Sequence, residues 1–169
     1  MKKERNIALA VCAVLAALIL LLTSQSSPLY PINLWGDANC LFTVGRVMKD
    51  GGVLYRDIYE QKGPLLYLIH ALAACLSDTS FWGVYIMEAL AMTVALYAAY
   101  RLMRLRAGMG FSLGAAAFFG AAFASCTAFI RGDSAEEFCL PLLMAALAIA
   151  YAEYGRRAKP MRMKRLFVC

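Results

Sequence analysis

Long apolar blocks alternate with short polar or charged segments along this chain. No charged residue occurs in 6–36 or 107–130, and the stretch 79–100 contains Glu88 as its one charged residue. Uncharged blocks of about 20 residues are typical of membrane-spanning helices, whereas surface helices of soluble proteins carry a polar face. The pattern therefore predicts an all-α integral membrane protein with four spanning helices, at about 7–26, 80–101, 109–129 and 137–155.

A fifth apolar stretch, 63–77, is shorter than these blocks. Its 15 residues form roughly 22 Å of helix, against a hydrocarbon core of roughly 30 Å. If this stretch does not cross, the N-terminus and the basic segments 101–106 and 155–165 all lie on the cytoplasmic side, as the positive-inside rule favours. We therefore predict that 63–77 is a helix in the outer interface, within an outer segment at 27–79.

The composition agrees with a membrane protein. Apolar residues make up 62% of the chain and charged residues 17%, whereas soluble domains have roughly 25% charged residues. The net charge of +6 comes from cations at the edges of the apolar blocks, so it indicates orientation in a bilayer and not a nucleic-acid partner. The 6 cysteines have no CxxC pair or metal-ligand spacing, so we expect no disulfide framework.

The two ends of the chain leave alternatives open. A basic start followed by an apolar run is also typical of a signal peptide, but this run is long and no A-x-A site follows it. We therefore predict a retained first helix. Residues 166–169 resemble the start of another apolar run after a basic loop, so 1–169 is expected to be one partial membrane domain of a longer protein.

The outer segment begins with a predicted amphipathic helix at about 38–50. Asp37 stands at its N-cap position, and Gly51 and Gly52 follow its end. A cap and a chemical role are equally open for Asp37. The apolar face is defined by residues at helical spacing, namely Cys40, Leu41, Val44, Val47 and Met48.

The segment 55–62 packs two cations, two anions and two tyrosines into eight residues. Arg56 and Lys62 are suited to hold a phosphate by charge-assisted hydrogen bonds. An interfacial loop anchored by its aromatic residues is the alternative. Pro64 is suited to begin the helix that follows, because proline is favoured at the first helical position.

Together these features resemble the GT-C membrane glycosyltransferases. They are an acid after the first membrane helix, an amphipathic helix, a Tyr-Arg-Asp stretch, and Lys-Gly-Pro-Leu-Leu-Tyr opening a short apolar helix. The likeness is to the bacterial protein-mannosyltransferase and aminoarabinose-transferase branch, whose members use a polyprenyl-phosphate sugar as donor. The resemblance implies that 38–50 and 63–77 are the two jaw helices of the first outer loop, in a multi-pass protein of the plasma membrane.

The resemblance also implies residue roles in that loop. The family's first-loop acid falls on Asp37, the expected catalytic base. Its Lys-Pro-Pro-type motif, tied to the donor phosphate, falls on Lys62, with Gly63 in place of the first proline. Arg56 would assist Lys62 in binding phosphate. Cavity-lining positions are then expected at Asp57, Tyr55 and Glu88.

The second outer segment, 131–137, holds three acids. Ser134 and Glu137 have capping-box spacing, as do Asp133 and Glu136, so helix initiation is one interpretation. In GT-C proteins of this kind an acid of the second outer loop faces the catalytic cavity; Asp133 is the best match and Glu136 the second. Two acidic loops on one side of the bilayer suit a divalent cation, although nothing in the sequence requires one.

Two ionisable residues fall within apolar helices. Glu88 lies below the outer end of its helix, where a charge is costly, so it either lines the cavity or bonds a neighbouring Tyr or Arg. His70, on the short helix, is expected to be a surface-facing polar residue and not a ligand.

The resemblance thus implies that the chain is the N-terminal part of an inverting glycosyltransferase, which moves a sugar to an extracytoplasmic glycan, lipid or protein. A transporter or channel module with Glu88, Asp37 and Asp133 as an ion path is the first alternative. It is less favoured because Glu88 is the one acid at depth, with Glu153 near the inner end. A non-catalytic assembly subunit whose outer loop binds a partner is the second alternative.

Overall fold

The computed structural model describes residues 2–129 and 131–157. Residues 158–169, with most of the predicted basic segment 155–165, the apolar run at 166–169 and Cys169, lie outside the described residues. Within the described ranges the chain forms six helices and no β-strand, which confirms the all-α prediction. The helices are α1 Lys2–Thr23, α2 Gly36–Lys49, α3 Pro64–Leu76, α4 Trp82–Met103, α5 Met109–Ala124 and α6 Ala135–Arg157.

Three of the described helices are long and apolar enough to cross a membrane: α1, α4 and the Ala135–Tyr154 part of α6. They correspond to the predicted spans 7–26, 80–101 and 137–155. The predicted span 109–129 is represented by α5, which has 16 residues and therefore a length of about 24 Å. It ends early because the chain turns after Ser125, where the Cys126 and Phe129 N–H groups bond to the Phe123 and Cys126 carbonyls. Helix length alone does not confirm a count of four spans.

The core lies where α1 and α5 pack against α4. Every fourth residue of α1 is fully buried, and these residues are Ala8, Cys12, Ala16 and Leu20. Residues four apart share one face of a helix, and small side chains let helix backbones approach closely in a membrane. Met92 and Leu96 of α4 and Ala116 of α5 complete this core, which is apolar throughout the middle of the bundle.

Polar contacts at both ends establish that α1 and α4 are antiparallel. Ser24, just after α1, donates to Glu88 near the start of α4. At the opposite end, Arg104 Nη2, just after α4, lies 2.7 Å from Glu4 Oε1. We call the end of the bundle that contains Ser24 and Glu88 the loop end. The opposite end, which contains residues 2–5 and 101–106, is the basic end. Arg106 donates to the Tyr151 hydroxyl of α6 at the basic end.

The helices α2 and α3 form a pair beside α4. A Cβ on Gly45 of α2 would overlap the backbone of His70 in the middle of α3, and a Cβ on Gly83 of α4 would overlap Ala73 of α3. Lys49, the last residue of α2, pairs with Asp78, just past the end of α3, at 2.9 Å. The two helices therefore run in the same direction and are held close by glycine contacts.

Several local predictions for the outer segment are confirmed and two are wrong. Pro64 is the first residue of α3, and Gly51, with φ of +92°, follows α2. Asp37 is not the N-cap: α2 begins at Gly36 after Trp35, and no side chain caps it. Asp37 lies exposed in the first turn.

The apolar face of α2 is also rotated from the prediction. Cys40 is exposed. The helix α2 approaches α3 most closely at Gly45, so the side of α2 that carries Gly45 faces α3 and the side that carries Cys40 faces away. Phe42 is therefore buried and packs on Phe81, with ring centroids 4.9 Å apart. The buried residues of α2 are Ala38, Leu41, Phe42, Val44 and Gly45.

Candidate functional site

A cluster of polar side chains is buried at the loop end, where five segments of the chain meet. We call it the buried cluster, and its members are Ser24, His70, Glu88, Asp133 and Glu137. Each is at most 1% exposed. A buried polar group is stable only if hydrogen bonds replace its contacts with water, so the cluster depends on its internal bonds.

His70 and Asp133 form the central pair. His70 Nδ1 lies 2.8 Å from the Leu66 carbonyl oxygen, which only accepts, so Nδ1 carries a hydrogen. His70 Nε2 lies 2.7 Å from Asp133 Oδ1. Burial by itself would lower the pKa of His70, but Asp133, the Leu66 carbonyl and Glu88 together raise it above 6.5. The arrangement therefore favours an imidazolium–carboxylate pair.

The expectation that His70 faces the surface is wrong. His70 follows Leu66 by four residues and Tyr67 by three, and both are buried. Positions three and four apart share a helix face, so the spacing on α3 already contained this signal. The prediction went wrong because histidine is polar and was therefore expected at the surface.

Glu88 is held by a hydroxyl and a backbone amide. Ser24 Oγ lies 2.9 Å from both carboxylate oxygens of Glu88, and the Asp133 N–H donates to Glu88 Oε1 at 2.6 Å. The expected Tyr or Arg partner is thus replaced by Ser24 and the backbone. The loop comes this close because Gly132 has φ of +81° and lacks a Cβ that would overlap Ser24 and Glu88.

The start of α6 closes the cluster. The Glu137 N–H donates to Ser134 Oγ at 3.2 Å, and the Asp133 N–H donates to Glu137 Oε2 at 3.0 Å. The Ser134 half of the predicted capping box is confirmed, but the Glu137 carboxylate accepts the N–H of Asp133 and not that of Ser134. Glu136 is exposed. Asp133 is fully buried: its carboxylate contacts His70, and its backbone N–H donates to Glu88 and Glu137.

The described residues contain no group of three or more His, Cys, Asp or Glu side chains placed to hold a metal ion. The buried cluster therefore supplies no ligand set for the divalent cation that the acidic loops suggested. Asp133 Oδ2 and Glu137 Oε1 are buried without a hydrogen-bond partner in the part of the chain that is described.

Arg56 and Asp57 pair with each other in the loop before α3. Arg56 Nε and Nη2 donate to the two Asp57 oxygens at 2.8 and 2.7 Å, and Asp57 also accepts the Val53 N–H. The guanidinium and this N–H lower the pKa of Asp57. Tyr55 begins the turn with φ of +64°, which is rare for a bulky residue.

The backbone of Lys62 is held from both sides. Its N–H donates to the Tyr67 hydroxyl at 2.7 Å, and its carbonyl accepts the Tyr55 hydroxyl at 2.7 Å. The Tyr67 hydroxyl in turn donates to Glu60, and burial together with Glu60 raises the pKa of Tyr67. The sequence analysis gave no role to Tyr67 or Glu60. The Lys62 ammonium makes no ion pair with a described carboxylate.

A groove of about 280 Å³ lies between α2 and this loop. Cys40 and Val44 line it from α2, and Ile58, Tyr59 and Glu60 line it from the loop. Asp37 precedes Cys40 by three residues and Val44 by seven, so it shares this face of α2. No hydrogen bond or ion pair joins its carboxylate to another described residue.

The predicted site residues thus fall into three groups. The buried cluster holds Glu88 and Asp133, and the loop turn holds the Arg56–Asp57 pair with Tyr55. Asp37 and Glu136 keep carboxylates that no described residue pairs, and the Lys62 ammonium lies near Glu60. Comparisons with protein-family models, with curated proteins and with solved structures found no match.

Proposed function

We propose that this chain is part of a membrane glycosyltransferase that moves a sugar from a polyprenyl-phosphate donor to an extracytoplasmic acceptor. One observation carries the proposal: the 2.7 Å contact between His70 and Asp133. It fastens the second outer segment to α3 of the first. Asp37 on α2 and Lys62 just before α3 are therefore held at one end of the bundle. The Asp37 carboxylate has no described partner, and the Lys62 ammonium lies near Glu60.

Asp37 is the general base in this proposal. The acceptor hydroxyl gives its proton to the Asp37 carboxylate, and its oxygen attacks the anomeric carbon of the donor sugar. The bond between the anomeric carbon and the phosphate oxygen breaks, and the polyprenyl phosphate leaves with the bonding electrons. Lys62 neutralises the charge that develops on that phosphate. Because the donor's tail lies in lipid, these groups belong at the membrane surface.

Arg56 has a smaller role than the sequence suggested. Its guanidinium already makes two hydrogen bonds with the Asp57 carboxylate. The negative charge of Asp57 therefore reduces the attraction between Arg56 and a phosphate. Lys62 is free of such a pair, and its backbone is held by Tyr55 and Tyr67. The phosphate role therefore rests mainly on Lys62, and Arg56 with Asp57 shapes the loop.

The proposed topology has four spans, with α5 as the shortest. Arg106, before α5, contacts Tyr151 at the basic end, whereas Gly132 and Asp133, after α5, lie at the loop end. The segment between them, 107–130, contains no charged residue. The basic end is cytoplasmic in this topology, and the loop end faces the outside of the plasma membrane.

Proton or ion transport is the second candidate, and the buried cluster is the observation that favours it. Ionisable groups buried at membrane depth often mark proton relays. Against this role, Met92 and Leu96 fill the bundle between the cluster and the Glu4–Arg104 pair. The described helices thus offer no polar path from one end to the other.

The test is sugar release from a polyprenyl-phosphate-linked sugar by membranes containing the full chain, with water or a simple glycan as acceptor. We expect Asp37→Asn to abolish release and Asp50→Asn, at the other end of α2, to leave it unchanged. Lys62→Gln should weaken retention of labelled polyprenyl phosphate by the purified chain. Unchanged release in Asp37→Asn, or equal retention by Lys62→Gln and wild type, would contradict the assigned roles.

A further inference from the structure

Two cavities meet at the basic end, away from every residue of the proposed site. The first is a groove of about 390 Å³ between the second halves of α4 and α6. Its walls are mainly apolar, with Val94 and Ala98 from α4 and Ala145, Ala148 and Ile149 from α6. The groove runs along two helices that are both long and apolar enough to cross a membrane.

The second cavity, of about 480 Å³, lies beside the first and is basic. Lys2, Arg5, Arg101 and Arg104 line it, with Glu4 as its one carboxylate. Glu4 already pairs with Arg104, because Glu4 Oε1 lies 2.7 Å from Arg104 Nη2. Lys2 and Arg5 have no carboxylate partner among the described residues. The cavity therefore keeps an excess of positive charge.

Tyr97 and Arg101 line both cavities and join them into one continuous surface. The Arg101 guanidinium lies over the Tyr97 ring, 6.0 Å from its centroid, which directs the cation to the boundary between the apolar and basic parts. Glu153 also lines the groove, so cations still outnumber carboxylates over the whole surface. An apolar channel that opens on a cluster of cations complements a molecule with a hydrocarbon chain and an anionic head.

We propose that this surface binds an anionic phospholipid of the leaflet at the basic end. One acyl chain lies in the groove between α4 and α6, and the phosphate meets Arg101, Arg5 and Lys2. Basic pockets between spanning helices are suited to lipid phosphates, because each cation near an anionic headgroup adds attraction. The site is independent of sugar transfer, since it shares no residue with the proposed donor site.

Binding is tested with the purified full chain in detergent and a fluorescently labelled phosphatidylglycerol; the same label on phosphatidylcholine is the comparison. We expect Arg101→Gln to weaken phosphatidylglycerol binding about fivefold, and the matched Arg131→Gln, at the loop end, to leave it unchanged. Ala148→Phe should fill the groove and weaken binding as well, whereas Ala146→Phe, on the exposed side of α6, should not.

Inorganic phosphate separates a lipid site from a simple phosphate site. A lipid site predicts that millimolar phosphate displaces little phosphatidylglycerol and that Ala148→Phe matters. Full displacement by phosphate, with no effect of Ala148→Phe, would overturn the lipid assignment. Equal binding of the two labelled lipids would overturn it too, as would unchanged binding in both Arg101→Gln and Ala148→Phe. Either result would mean that further helices or bulk lipid cover the groove.

Discussion

His70 Nε2, in the middle of α3, and Asp133 Oδ1, just before α6, lie 2.7 Å apart although 63 residues of sequence separate them. Both side chains are removed from solvent, at 1% and 0% exposure. A buried charged pair holds its geometry because either partner alone would be left uncompensated. This contact therefore fastens the segment before α6 to the middle of α3.

Replacing Asp133 tests the pair. Asp133→Asn keeps the side-chain shape and tolerates the positive φ of +54°, but it removes the charge that His70 faces. Breaking a buried ion pair costs about 3–5 kcal/mol, so the free energy of unfolding in detergent should fall by that order. The exposed neighbour Glu136→Gln should change it by less than about 0.5 kcal/mol. Equal stability of the two variants would show that the pair contributes little.

The raised pKa of His70 makes this contribution depend on pH. Because the pKa is higher in the folded state than the unfolded value of about 6.5, the stabilisation is fully present below that value and is lost as pH rises through the folded pKa. The difference in thermal stability between wild type and His70→Gln isolates the contribution of this side chain. It should shrink from pH 6 to higher pH. A difference that grows with pH would mean that His70 is neutral.

Gly132 tests the close approach of the loop to α1 and α4. Its φ is +81°, and an added Cβ would overlap Ser24 Oγ and Glu88 Oε1. Overpacking and the left-handed backbone together should make Gly132→Ala less stable by about 1–3 kcal/mol. Gly114→Ala is the matched control: it has open space in helix α5 and should gain up to about 1 kcal/mol. The midpoint temperature of thermal unfolding should fall in Gly132→Ala and rise in Gly114→Ala.

Tyr67 tests whether backbone support positions Lys62. Tyr67→Phe removes the hydroxyl that accepts the Lys62 N–H and donates to Glu60. The N–H keeps its bond to Glu60 at 3.1 Å, so the loss should cost about 1 kcal/mol. Retention of labelled polyprenyl phosphate should weaken while the helix content stays the same. Tyr59→Phe, which is 78% exposed, should bind as wild type does. Identical retention by all three proteins would leave Tyr67 with a packing role alone.

The apolar periodicity predicted most of the fold. The long uncharged blocks became α1, α4 and α6, and Pro64 and Gly51 mark boundaries because their backbone preferences are local. The same reasoning extended α5 too far, since apolar residues continue past Ala124 while the backbone turns at Ser125. Local composition does not determine where an apolar helix ends.

The candidate site was harder to predict, because its bonds join distant segments. The spacing of Glu88, His70 and Asp133 in the sequence gives no sign that Ser24 and a backbone N–H satisfy Glu88. The Arg56–Asp57 pair depends on a turn in which Tyr55 adopts a positive φ. Tyrosine rarely adopts that conformation, so no residue-type preference points to it.

Chemical labelling in intact cells tests the central claim, that the loop end faces outward and the basic end inward. Single cysteines are placed at Tyr59, in the loop beside the groove, and at Leu105, at the basic end, in a chain whose native cysteines are replaced by alanine. The two positions are 78% and 50% exposed. A membrane-impermeant maleimide should label Tyr59→Cys in intact cells and Leu105→Cys only after the membrane is opened. Labelling of Leu105→Cys in intact cells, with Tyr59→Cys protected, would contradict the proposed topology and the donor site that depends on it.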